Sequence, residues 1–341
     1  MMHAMTRGGV AVAKRYAVGI DYGGTKLLAA VVDLKTGEVV ATAKKRTSAS
    51  DSPKAILERM ETVTDAALES AKLKPKQIEG IGVGAAGQVD SKEGVLLGTP
   101  NLSQAVVNLP IVDSMKKRYG VPVALRNDVQ VAATGELAFG AGKGVKDFLC
   151  CFVGTGIGGA IVVGGSLVLG ASGSAGEIGH VVVDSGGRVC GCGGRGHLEA
   201  YASRTGMTLS LMGDLKRGRP SVLRELAPEL STAAMWPESG AVRSGVLQAA
   251  LEAGDRLVED TITDAGRFLG IGLASAINLL NPARIILGGG VIEAVGLLYD
   301  VAVDYAEREA LAAPGRVVEF RKAGLGDHAG VVGAALIGAG G

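Results

Sequence analysis

A surplus of either charge is missing from this chain of 341 residues: 35 Lys and Arg stand against 34 Asp and Glu, a net charge of +1. Phosphate-backbone binding favours a basic excess, so nucleic acid is excluded as a general partner. Cysteine is also sparse. The four residues are Cys150, Cys151, Cys190 and Cys192, a neighbour spacing that suits neither a disulfide framework nor an oxidising compartment and points to a reducing cytoplasm. Residues 1–15 lack a continuous apolar core followed by a small-residue cleavage site, so they read as an N-terminal arm and not a secretory signal. With 47% hydrophobic and 20% charged residues, the composition excludes disorder as the main state. One run resembles a membrane span, because no charged residue occurs between Asp147 and Glu177. Glycines punctuate it at strand-length intervals, which predicts buried hairpins and no membrane partner.

What is abundant is glycine, 54 residues, roughly twice the average usage of about 7%. Many backbone positions therefore need tight turns or close approach to a ligand. Tyr16 to Ile20, Leu27 to Asp33 and Glu38 to Ala43 read as strands joined by turns at Asp21-Tyr-Gly-Gly-Thr25 and Thr36-Gly37. Alternating helices and strands follow, ending in a helix from Asp128 to Phe139. At Phe148 the pattern restarts with strand, glycine turn and strand, and later brings a long helix, Asp255 to Leu280, a strand ending at Gly288-Gly289-Gly290, and a last helix from Ala329. Two similar halves predict two α/β lobes, 16–140 and 141–341, facing each other across a ligand cleft. An irregular helical insertion, about 205–250, belongs to the second. The predicted hinge lies near Gly140 to Gly144 and around the long helix.

Asp21-Tyr-Gly-Gly-Thr-Lys26 offers backbone N–H groups that can converge on an anion without Cβ obstruction. A plain hairpin turn accounts for the same residues, but Gly154-Thr-Gly-Ile-Gly-Gly159 holds the equivalent place in the second half. Gly154, Gly156 and Gly159 also match a dinucleotide fingerprint, with Glu177 about 20 residues on, which keeps an oxidoreductase in view. Against it, Ala160 to Val163 reads as strand where the fingerprint requires a helix. Asn127-Asp128 stands at a strand-to-helix junction. Asp128 is either a helix cap or a base that takes the proton of a substrate hydroxyl while Asn127 positions that substrate. The densest cluster runs from Glu177 and His180 through Cys190, Cys192 and His197 to Glu199. His180, Cys190, Cys192 and His197 supply the ligand count and types of a closed tetrahedral Zn²⁺ site; the alternative is a glycine-rich turn with reduced thiols. Cys150 and Cys151 read as core residues.

Taken in order, these motifs resemble the ROK family (repressors, open reading frames and kinases). The resemblance implies a two-lobed actin-like ATPase (ribonuclease H-like) fold, with duplicated βββαβαβα lobes and sugar phosphorylation in the cleft. It implies Asp128 as general base, with Asn127, Glu177, His180, Glu199, Gly87 and Asn101 on the sugar. It further implies Gly23, Gly24, Thr25, Lys26, Gly154, Thr155 and Gly156 around the ATP phosphates, Gly288, Gly289 and Gly290 beside the adenosine, and Asp21 on Mg²⁺ through water. Two positions depart from the family pattern: His197 replaces the third cysteine of the zinc loop, and Ala86 replaces a proline of the sugar-side turn. Glucose, at its 6-hydroxyl, is the acceptor that the resemblance mainly implies, and no aromatic wall for an acetyl methyl is visible near Asn101 to Gln104 or Gly84 to Gly87. N-acetylmannosamine, N-acetylglucosamine and fructose stay open. Regulators of the family carry an added DNA-binding segment, for which residues 1–15 are too few. A homodimer or larger homo-oligomer in the cytoplasm is expected.

Overall fold

Why the chain divides into two sheets is visible from its strand order. The computed structural model describes residues 15–24, 26–48, 51–99, 106–237 and 240–340. β1 (Tyr16–Tyr22), β2 (Lys26–Asp33) and β3 (Val39–Arg46) form an antiparallel meander. α1 (Pro53–Ser70) then covers one face; Ser52 caps it by accepting from Ala55 N, and Ile56, Met60, Val63 and Ala67 are buried at helical spacing. β4 (Ile78–Ala85) returns parallel to β1. A small hairpin, β5 (Gln88–Asp90) and β6 (Val95–Gly98), precedes α2 (Ile111–Tyr119), β7 (Val123–Asn127) and α3 (Asp128–Phe139). The sheet runs β3-β2-β1-β4-β7.

The second sheet repeats this order. β8 (Phe148–Val153), β9 (Ile157–Val163) and β10 (Ser166–Leu167) form its meander, and the glycines 154–159 lie in the β8–β9 hairpin. No helix starts within them, so the dinucleotide fingerprint is not realised. Short helices α4 (Glu199–Ala202), α5 (Arg204–Lys216), α6 (Leu223–Leu226), α7 (Glu229–Thr232) and α8 (Ser244–Glu252) lead to α9 (Arg256–Leu280), β11 (Arg284–Gly288), α10 (Gly290–Ala294), α11 (Gly296–Glu309), α12 (Ala312–Gly315), β12 (Glu319–Lys322) and α13 (Ala329–Gly338). The sheet order is β10-β9-β8-β11-β12. The largest apolar core lies here, with Leu257, Ile262, Leu269 and Leu273 of α9 against Leu298, Ala302 and Ala306 of α11. No helix among the described residues is long and apolar enough to cross a membrane.

The last helix departs from the expected division at residue 141. α13 packs on the first sheet, where Val331, Val332 and Ala335 close a core with Ala17, Leu28, Ala30 and Val32. Glycine makes this approach feasible: a Cβ on Gly19 would lie 1.8 Å from Val331 O, and one on Gly82 would lie 1.7 Å from Ala334 O. The first lobe is therefore completed by the end of the chain.

The chain crosses between sheets twice, after α3 and between β12 and α13. Glu136, fully buried in α3, joins the crossings. Its carboxylate accepts from Ala141 N at 2.6 Å, Gly324 N at 2.9 Å and Leu325 N at 2.9 Å. One crossing runs through Gly140 to Gly144 and the other through Gly324, while the main neighbours of the long helix, α4, α5, α8, α11 and α12, belong to the second lobe.

Candidate active site

The carboxyl ends of β1, β4 and β7 meet at one edge of the first sheet, where open α/β sheets place ligands. Asp21 pairs in register with Gly84, and Ala85 with Asn127. The two readings of Asn127-Asp128 separate here. Asn127 is the cap of α3: its Oδ1 accepts from Val129 N at 2.9 Å and Gln130 N at 3.4 Å. Its Nδ2 donates to Gly87 O at 3.3 Å, fixing the turn after β4. Asp128 is thereby relieved of the capping role, and its Oδ1 accepts from the adjacent Val129 N, at 3.0 Å. Ala86 N donates to Tyr22 O at 3.0 Å, a bond that proline at this position would lack.

Asp128 and Asp21 are half-buried at this edge. Burial raises the Asp128 carboxyl above its ordinary range, and the negative Glu177 adds to the rise, while the Val129 N–H and Asn127 act against it. Asp21 is pushed up to about 7, first by burial and then by Asp128, with Lys26 opposing. A carboxylate whose ionisation is disfavoured by burial and by a second carboxylate suits a divalent cation, which would relieve it. Lys26 Nζ lies 3.5 Å from Asp327 Oδ2 in an exposed pair. The Gly23-Gly24 turn closes by Gly23 N donating to Lys26 O at 3.0 Å. Thr25 and Asn101 lie outside the described residues.

Across from this edge stands the β8–β9 turn. Gly154 N donates to Gly156 O at 2.9 Å, and Gly154 has open space where a Cβ would be, so the backbone there is approachable. Gly289, at φ 90°, crosses so near the end of β8 that a Cβ would meet Val153 O at 2.5 Å, which places Gly288 to Gly290 beside the turn. The lobes meet at α3. Val129 packs over Gly158, and the buried Gln130 donates through Nε2 to Gly173 O at 2.7 Å.

His180, Cys190, Cys192 and His197 converge, with ligand atoms all within 4.8 Å of one another. Cys192 Sγ lies 3.2 Å from His197 Nδ1, and Cys190 Sγ lies 3.8 Å from His180 Nδ1. The edges of a tetrahedral Zn²⁺ site with these ligands are about 3.3–3.8 Å, so the donor set fits zinc. Burial pushes the Cys190 thiol up to about 11, a cost that a bound cation reverses by stabilising the thiolate. Glu199, expected at the sugar, is turned to the protein. Its Oε2 accepts from Ile157 N at 2.8 Å, and Oε1 lies 3.7 Å from Cys190 Sγ.

Sequence reasoning missed Gln130, Glu136 and Arg204. Arg204 Nη2 donates to Thr155 Oγ1 at 2.7 Å. Apart from Ala141, five residues from Glu136, their side-chain partners lie 43 to 189 residues away in sequence, a separation for which periodicity has no signal.

The same arrangement of sheets occurs in proteins already solved. A ROK family glucokinase from Streptomyces griseus, in complex with glucose and AMPPNP, superposes with a TM-score of 0.79 at 32% identity, over 96% of this chain and 100% of that one. A ROK family transcriptional regulator, homologous to the Escherichia coli MLC protein, also gives 0.79, at 27% identity, over 95% of this chain and 78% of that one. A glucokinase of Halalkalibacterium halodurans is 32% identical over 320 residues, 94% of this chain and 93% of that protein. The ROK family model matches residues 17–339, the span that holds both sheets, both glycine turns and the Cys/His cluster, and the chain belongs to the ROK family.

Proposed function

We propose that this chain is an ATP-dependent sugar kinase that transfers the γ-phosphoryl group to the 6-hydroxyl of glucose. The observation that carries this reading is the division of labour at the start of α3. Asn127 caps the helix, which leaves the Asp128 carboxylate out of the capping role at the carboxyl end of β7. In its ionised form Asp128 accepts the proton of the 6-hydroxyl as that oxygen attacks phosphorus, and the bond to the ADP leaving oxygen breaks. Asn127, Glu177 and His180 present polar groups to the remaining hydroxyls. Backbone N–H groups of Gly24, Thr155 and Gly156 compensate charge spreading over the phosphoryl oxygens, in turns closed by the Gly23 and Gly154 N–H groups. Asp21 would hold Mg²⁺, which when bound with ATP would supply further neutralisation. His180, Cys190, Cys192 and His197 would hold zinc, which would supply order to a loop with little apolar content.

Similarity to glucokinases supports glucose, and similarity to regulators supports a second reading in which the core binds sugar without turnover. A coupled assay with ATP over glucose, mannose, fructose, N-acetylmannosamine and N-acetylglucosamine decides. Glucose should lead in kcat/KM. A tenfold advantage for another sugar, about 1.4 kcal/mol of transition-state discrimination, overturns the choice of glucose. Sugar binding with no phosphorylation of any member of the panel overturns the kinase.

A further inference from the structure

Helix α5 begins against the β8–β9 turn. Arg204 N donates to Gly154 O at 3.0 Å, and Thr205 Oγ1 donates to Thr155 O at 2.8 Å. The Arg204 side chain lies along the same turn, with Nη2 bonded to the Thr155 hydroxyl. Its Nε is buried and has no hydrogen-bond partner. Other arginines pair with carboxylates, as Arg59 does with Asp51 and Arg219 with Asp260, or donate to backbone carbonyls, as Arg224 does to Leu215 O. Among the described residues Arg204 has no such pair. The carboxylate held by this turn, Glu199, is engaged by the Ile157 N–H. A guanidinium stays protonated at neutral pH, and burial disfavours the charge at this position. A half-buried permanent cation with no counter-ion is costly unless an anion completes it.

The geometry points to Arg204 as a binding residue for the terminal phosphate of a nucleoside triphosphate, with the Thr155 hydroxyl holding the guanidinium in place. The identity of that anion rests on the kinase reading above. A planar fork of donors matches phosphate oxygens, which a lysine ammonium does only as a point charge. The consequence is selectivity: Arg204 distinguishes ATP from ADP, because only the longer chain reaches it.

The test is calorimetric, on the full-length, zinc-loaded chain with Mg²⁺, using AMPPNP and ADP as probes for wild type, Arg204→Ala, Arg204→Lys and Thr155→Val. Arg204→Ala should weaken AMPPNP about tenfold or more and ADP less than threefold, with glucose affinity within twofold. Arg204→Lys should recover part of the loss and serves if the alanine variant unfolds. Thr155→Val, which removes the hydroxyl that holds the guanidinium, should lose part of the preference for AMPPNP. Equal loss for both nucleotides in Arg204→Ala, no loss for either, or a Thr155→Val variant with the full wild-type preference overturns the proposal, as does wild type that binds no AMPPNP. Wild type that shows Arg204-dependent preference for AMPPNP but phosphorylates no sugar leaves this inference standing and removes the kinase reading instead.

Discussion

Glu199 and Ile157 join two parts of the molecule with different chemistry. The Glu199 carboxylate accepts the Ile157 N–H at 2.8 Å on one oxygen, and its other oxygen lies 3.7 Å from Cys190 Sγ. The cysteine-histidine loop and the β8–β9 glycine turn are thus held in register by one side chain. Order in the first is transmitted to the second, because a carboxylate fixed at both ends cannot follow a loosened loop without leaving a backbone donor unpaired.

Metal removal should therefore disturb more than the loop. Metal analysis of fresh protein should find one zinc per chain. Chelation or Cys192→Ser should lower the melting temperature and weaken both glucose and AMPPNP binding. Fresh protein that lacks zinc and is fully active would argue against the site. Nucleotide affinity untouched by chelation would remove the coupling through Glu199.

Asp128→Asn preserves size and hydrogen bonding yet cannot take a proton at neutral pH. If phosphorylation proceeds as proposed, kcat should fall about 10²-fold or more, while the dissociation constant for glucose changes by a few-fold at most. The raised Asp128 carboxyl places the acid limb of kcat/KM above the ordinary carboxylate range, with activity lost as pH falls and the base becomes protonated. A variant with near-normal kcat takes Asp128 out of the mechanism.

Asp21 carries a pH-dependent stability term of the opposite sign from a salt-bridged carboxylate. Its folded pKa of about 7 lies above the unfolded value near 3.8, so between these limits the folded state binds more protons. Stability is therefore fully present below the unfolded pKa and declines as pH rises towards 7. The whole interval corresponds to an upper bound of about 4 kcal/mol, and partial solvent access reduces it to about 1–3 kcal/mol. Without Mg²⁺ or nucleotide, Asp21→Asn should melt higher than wild type at pH 8 and nearly level with it at pH 4. Equal melting temperatures at both values would contradict the assignment.

Glu136 serves three backbone donors on the two crossings between lobes. Glu136→Ala removes the acceptor of three part-buried donors and leaves a gap at a fully buried side chain, which should cost about 2–3 kcal/mol in denaturant unfolding. Glu136→Gln, with one acceptor oxygen, should cost less. Closure on glucose, visible as compaction in small-angle scattering of the wild type, should shrink or vanish in the glutamine variant. Full compaction in that variant would mean the crossings need no such latch.

Much of this protein is legible in its residues alone. Strand, glycine turn and strand appear twice, the strands read as apolar runs bounded by turn residues, and these repeats determine two lobes whose meanders and parallel strands follow the predicted order. The cysteine-histidine cluster is also local, spanning few enough residues for its ligand set to be read from spacing. Tertiary structure decided what depends on distant partners. The hairpin at Gln88–Asp90 and Val95–Gly98 is too short to show a period. That Asn127 and not Asp128 caps α3 follows from side-chain orientation, since both residue types suit a cap. That Glu199 serves a backbone N–H, that Arg204 lies along Thr155, and that α13 completes the first lobe are consequences of contacts between segments far apart in sequence. Packing creates those contacts, and a linear pattern has no term for them.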